Sequence, residues 1–359
     1  MHNHNHDLSG ELAFVDCHGQ ALAATNEAAA QTGGGRRRQV MVAGKRVKTI
    51  DVHCHCVIPK ALELQGKDHR EERGPGLGEV GQRRLNEMDE QGIDVEAISI
   101  NPHWYHEGRD KAEAICKINN DTLTELCARH PDRFVGFASL ALQFPDLAVQ
   151  QLEYAIKKLG MRGAAIGGSV HGDEFANAKF DPVWKKAEEL GVLLFIHPQG
   201  TPALASRLKG NGWLANVIGN PLDTTIALSH IIFEGTLDKF PGLKICSAHG
   251  GGFLPQYAPR SDNGLRVAPE MDTGVKLKKK PTEYMRDMYY DTLVFTNEAL
   301  RHLAAEVGVE KLVIGTDHPI PWQADSVNHI LNCPHFNDAQ KRMMLGETAA
   351  KLLGISPEF

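Results

Sequence analysis

"TIDVHCHC", residues 49–56, alternates two histidines with two cysteines at the end of a β-branched run. Such a run reads as a strand, and residues two apart on a strand share a face. His53 and His55 therefore point together, while Cys54 and Cys56 point the other way. A pair of thiolates would indicate a structural zinc site, and a pair of imidazoles a catalytic metal. Only one pair can face the interior of the fold, and Cys56 stays a competing ligand on spacing alone. By the same alternation Asp51 falls on the histidine face one layer lower, where a carboxylate can orient a ligand imidazole.

Seven further apolar runs follow: "DVEAISIN" (94–101), "RFVGFASL" (133–140), "RGAAIGG" (162–168), "VLLFIHP" (192–198), "LKICSAHG" (243–250), "MYYDTLV" (288–294) and "KLVIGTDHP" (311–319). Amphipathic helical stretches such as "LAVQQLEYAIKKLG" (147–160) and "VWKKAEELG" (183–191) separate them, several ending in the glycine that stops a helix. Eight alternating strand and helix units predict a (β/α)₈ TIM barrel over residues 47–359. A doubly wound open sheet is the rival, but no G-x-G-x-x-G follows the first strand. The longest insertion, "LELQGKDHREERGPGLGEVGQ" (62–82), follows the first strand, where a barrel carries active-site loops. Residues 1–46, with "MHNHNHDLSG" and "TGGGRRRQ", read as an N-terminal extension or partly ordered arm, and the histidines at its start belong to that terminus.

Barrel chemistry gathers at the C-terminal ends of the strands. His53 and His55 end the first strand, His197 the fifth, His249 the sixth and Asp317 the eighth. One such residue is ordinarily a hydrogen-bonded structural side chain; five on one rim indicate a site. This company is imidazole and carboxylate, which favours the histidines of the opening stretch over its cysteines.

Composition narrows the partners. The 359 residues are 42% hydrophobic with a net charge of −6, which argues against nucleic acid and anionic membranes. No apolar run approaches the roughly 20 residues that span a bilayer, and no secretory signal is evident. A cytoplasmic protein with a small-molecule substrate is expected. Seven cysteines without a repeated C-x-x-C spacing indicate reduced, buried thiols.

The H-x-H after the first strand, the histidine ending the fifth, "HGGG" (249–252) and "GTDHP" (315–319) resemble the amidohydrolase superfamily. Within it, "NEMDEQGIDVEAISI" (86–100), "LFIHPQG" (194–200) and "KICSAHGGGFLPQYAPRSDN" (244–263) are similar to the branch containing aminocarboxymuconate semialdehyde decarboxylase. The resemblance covers residues 47–355 and implies one divalent metal, zinc first and manganese as the alternative, on His53, His55, His197 and Asp317. Two-metal members add a Lys or Glu from the fourth strand, and "RGAAIGGSV" has neither. His249 is implied to be the acid/base beside a metal-bound water, with Asp317 sharing in catalysis. Arg260 matches an arginine that enters the neighbouring active site of a homodimer. Arg73 stands near another substrate arginine, although a surface residue is the competing reading. His103, Trp104 and Tyr105 after the second strand either stack on a planar substrate or plug the loop. His318 follows the metal aspartate and is expected near the substrate. The implied activity is nonoxidative decarboxylation of a small unsaturated or aromatic acid. A metal-dependent hydrolase or hydratase is the alternative, and a noncatalytic binding barrel a third class.

Overall fold

Eight short strands, nearly all of whose residues are buried, pair in parallel and in chain order: β1 (Ile50–His55), β2 (Val95–Ser99), β3 (Phe134–Ser139), β4 (Gly163–Ile166), β5 (Leu193–Ile196), β6 (Lys244–Ser247), β7 (Tyr289–Asp291) and β8 (Leu312–Val313). This computed structural model describes residues 37–67, 80–269, 274–320, 322 and 325–359. The sheet closes on itself where β1 meets the chain leaving β8. Val52 N–H donates to the Ile314 carbonyl (3.1 Å), Asp317 N–H to the His53 carbonyl (2.8 Å) and His55 N–H to the His318 carbonyl (2.7 Å). The predicted TIM barrel is thus observed.

Each crossover is helical because parallel neighbours need a long connection. The main helices are α1 (Gln82–Gln91), α2 (Arg109–Arg129), α3 (Pro145–Lys157), α4 (Asp181–Leu190), α5 (Gly219–Phe233), α6 (Ala258–Val267), α7 (Asn297–Val307) and α8 (Ser326–Asn332). Glycines in the left-handed region end α1 at Gly92 (φ 78°) and α4 at Gly191 (φ 64°). Ile50, Val95, Phe137, Leu193, Phe195 and Val313 belong to the cluster filling the barrel, and a larger apolar layer lies between strands and helices. Cys54 and Cys56 pack in that outer layer, as strand alternation predicts for them.

Alternation fails at one point. Asp51 pairs with Glu96 and Cys54 with Ile98, so β1 carries one residue more than β2 over this span. Such a bulge exchanges faces for the residues before it. Asp51 consequently lies with Cys54 and Glu96, their donor atoms all within 4.8 Å of one another, on the side away from the expected one.

Of the extension, residues 37–46 are described. A two-stranded ribbon (Met41–Val42 with Lys45–Arg46) seats Val40 and Val42 in the outer apolar layer, and Arg37 pairs with Asp94 at 2.8 Å. No helix among the described residues is long and apolar enough to cross a membrane.

Candidate metal centre

The strand ends bring His53, His55, His197 and Asp317 together with one donor atom from each inside a 4.8 Å group. Asp317 Oδ1 lies 3.1 Å from His53 Nε2, 3.1 Å from His55 Nε2 and 3.9 Å from His197 Nε2. All four residues are buried, yet these three Nε2 atoms have no hydrogen-bond partner. Buried polar atoms left bare in one spot, converging on a carboxylate, are the donor set a divalent cation requires.

Two of the rings are fixed by protein partners. His53 Nδ1 meets Asp291 Oδ2 at 2.5 Å, which commits Nδ1 to that carboxylate and leaves Nε2 to face the donor group. His55 Nδ1–H donates to Ser99 Oγ (2.9 Å), whose own hydroxyl is committed to the Cys54 carbonyl, which again leaves Nε2 free. The His55 carbonyl is anchored by Arg84 Nη1 at 2.6 Å.

Electrostatics agree with the geometry. Burial pushes the His55 imidazole down to about 4 and His197 well below the usual range, which keeps both neutral. Burial opposes charge on His53 as well, but Asp317 and Asp291 outweigh it and carry that ring up to about 10. The two buried carboxylates thus call for positive charge at this spot, which a bound cation supplies.

His249 stands beside the donor set rather than in it. Its Nε2 is 3.6 Å from Asp317 Oδ2, its Nδ1 has no partner, and its side chain is 14% exposed, so a substrate can reach the ring. The backbone here is left-handed at His249 (φ 54°) and at Gly250, Gly251 and Gly252. Asp291 holds the turn, since Oδ2 accepts from His249 N (2.9 Å) and Oδ1 from Gly250 N (2.8 Å).

Other expected site residues are placed differently. Asp51 accepts from His53 N (3.0 Å) and from the Thr316 hydroxyl (2.5 Å) and touches no imidazole, because the bulge turns it away. His318 directs both ring nitrogens at carboxylates, Nδ1 to buried Glu96 (2.7 Å) and Nε2 to half-buried Glu87 (3.0 Å), so both are already committed within the protein. Trp104 is 1% exposed and donates to the Leu140 carbonyl, so it is a plug and not a stacking platform. His103 and Tyr105 line a cavity of about 760 Å³ with Gln199, Thr201 and Asp223, built from the loops that follow β2, β4 and β5. Arg260 lines a separate cavity of about 470 Å³ with Phe253, Tyr257 and Leu265, and none of the four donors lines either cavity. Arg73 lies outside the described residues.

Residues 50–355 match the family model described as amidohydrolase. The chain belongs to the amidohydrolase family. This amidohydrolase is 29% identical over 313 residues to 2-amino-3-carboxymuconate-6-semialdehyde decarboxylase of Dictyostelium discoideum, covering 86% of this chain and 85% of the relative. Its fold superimposes on 5-carboxyvanillate decarboxylase of Sphingomonas paucimobilis with a TM-score of 0.81 at 25% identity, over 86% of this chain and all of the other. A dihydroxybenzoic acid decarboxylase of Polaromonas sp. JS666, with bound manganese and the inhibitor 2-nitroresorcinol, superimposes at 0.72 with 26% identity, covering 86% and 97%.

Chemically, the amidohydrolase offers four donors for one divalent cation, a reachable imidazole and an acidic partner for it. Asp291 and Ser99 are supporting residues that sequence reasoning did not single out, and Arg84, expected from sequence to face solvent or an acidic neighbour, is buried against Glu96 (2.6 Å). Asp291 had a signal, since it ends an apolar strand just as His197 and His249 follow one.

Proposed function

We propose that this amidohydrolase is a metal-dependent nonoxidative decarboxylase of a small aromatic or unsaturated carboxylic acid. The observation that carries the proposal is the converging set of bare Nε2 atoms on Asp317, with His249 standing free beside it. The names of the relatives support the choice of decarboxylation. His53, His55, His197 and Asp317 would hold the metal. A divalent cation there supplies Lewis acidity and positive charge to the substrate's carboxylate and a neighbouring oxygen. Zinc suits three imidazoles and a carboxylate; manganese, which the Polaromonas protein binds, is the alternative.

The chain's own part is proton handling. His249, as imidazolium, gives its proton to the carbon that bears the carboxylate. The bond to the carboxyl carbon then breaks, its electron pair restores the unsaturated system, and CO₂ leaves. Asp317 Oδ2, 3.6 Å away, stabilises the charged ring before transfer, and Asp291 holds the His249 backbone in place. His103 and Tyr105 would line the substrate's path through the cavity of about 760 Å³.

The substrate carboxylate needs a cationic partner, and a guanidinium fork fits it. We assign that role to Arg260 acting across a homodimer. Supporting this, α6 and the turn before it expose Tyr257 and Val267 (each 70%), the apolar surface a subunit interface covers. Residues 1–46 are assigned as an extension to the barrel of 47–359. A cytoplasmic location is supported by the six described cysteines, all of them free thiols.

The test is incubation of metal-loaded protein with hydroxybenzoic and carboxymuconic acids, following CO₂ and product mass. Release of CO₂ that disappears in His249→Asn and on chelation is expected. Addition of water without CO₂ release would instead establish the hydrolase or hydratase alternative, and full activity after complete metal removal would overturn the metal assignment.

A further inference from the structure

Of the three imidazoles in the donor set, His197 alone has neither ring nitrogen hydrogen-bonded to protein. His53 leans on Asp291 and His55 on Ser99, but the direction of the His197 ring is left to its backbone. That backbone is held on both sides. His197 N–H donates to the Ile166 carbonyl at the end of β4 (2.9 Å). Two residues on, Gln199 N–H donates to Asp223 Oδ2 (2.8 Å).

Asp223 belongs to α5 and is 7% exposed, and no cationic side chain pairs with it among the described residues. A buried carboxyl without a cation is costly to keep, and burial pushes this one up to about 7. The packing is nonetheless built around it. A Cβ on Gly168, in the turn after β4, would come within 2.4 Å of Asp223 Oδ2, so only glycine leaves the carboxylate room. The Gln199 side chain, anchored on the Pro102 carbonyl at 2.5 Å, closes the same corner. One side chain from a helix therefore joins the chain leaving β5 to the turn leaving β4.

We infer that Asp223 is a positioning residue for the metal centre: by holding the Gln199 amide it fixes how the chain leaves β5, and with it the aim of the His197 imidazole. This rests on the metal assignment made above. It differs from a role in substrate contact, which the place of Asp223 on the cavity wall would otherwise imply.

Asp223→Ala, Asp223→Asn and Gly168→Ala test it, with Zn²⁺ and Mn²⁺ affinities measured by chelator competition on each full-length variant. Loss of an outer-shell support predicts affinity reduced by about 10-fold or more in Asp223→Ala. Asn keeps a carbonyl oxygen for the Gln199 amide and should recover most of that loss. Gly168→Ala, which displaces the carboxylate without removing it, should weaken the metal in the same direction. Circular dichroism of the metal-free variants guards against simple unfolding, and Asp223→Asn and Gly168→Ala keep the test decisive where the alanine variant does not fold. Parent-like metal affinity in Asp223→Ala, or in Gly168→Ala when the alanine variant is unfolded, overturns the inference, as does a rise in KM with unchanged metal affinity. A parent protein that binds neither ion overturns the metal assignment itself, a separable result.

Discussion

The Asp291 carboxylate serves the two halves of the site at once. Its Oδ2 lies on His53 Nδ1 and accepts from His249 N, and its Oδ1 accepts from the Gly250 and Leu293 amides. Every one of these partners is a donor, so an amide in its place must turn an NH₂ toward an N–H. Asp291→Asn is therefore expected to lower metal affinity about 10–100-fold and to remove most CO₂ release; chelator competition checks the first, and parent-like metal binding would contradict it. His55→Ala should likewise empty the site, whereas Cys54→Ser should leave metal content intact, as measured by elemental analysis. His53, His55, His197, His249 and Asp317 were legible in the sequence because each ends or follows a strand. Asp51 and His318 were misread for reasons the sequence conceals. A one-residue bulge moves Asp51 across the sheet, and the carboxylates that capture His318 come from α1 and β2, far away in the chain.

Elements, as well as the Asp291 side chain, set the turn that carries His249. Gly252 has φ 67°, and a Cβ there would sit 2.1 Å from the Pro221 carbonyl at the start of α5. Gly252→Ala must either move the helix or reshape the turn. The left-handed backbone alone costs roughly 1–3 kcal/mol for a residue with a side chain. Urea unfolding should show a loss of at least that size, with catalysis reduced further because His249 moves with the turn. The strands and the main helices were legible from apolar periodicity and from stop glycines such as Gly92 and Gly191. The loop after β2 was open between two readings, because sequence does not show that the Leu140 carbonyl lies within reach of the Trp104 indole.

At the scale of the molecule, Arg260 lines a cavity to which none of the four donors of its own chain contributes, so the dimer proposal makes a sharp prediction. His249→Ala and Arg260→Ala should each be inactive alone. Mixed and allowed to exchange subunits, they should regain CO₂ release, because one site in each mixed dimer has an intact His249 and receives Arg260 from the other chain. Absence of recovery under demonstrated exchange would assign Arg260 to its own subunit. The barrel seam has a consequence for biosynthesis. His53, which starts the donor set, and Asp317, which completes it, are also the residues that join the first strand to the chain leaving the last. A chain still emerging from the ribosome holds three imidazoles but no fourth donor and no closed wall around them. On the proposed ligand set, loading of the ion would wait for nearly the entire polypeptide, and a truncation before residue 317 should yield a protein that is unmetallated and open at the same place.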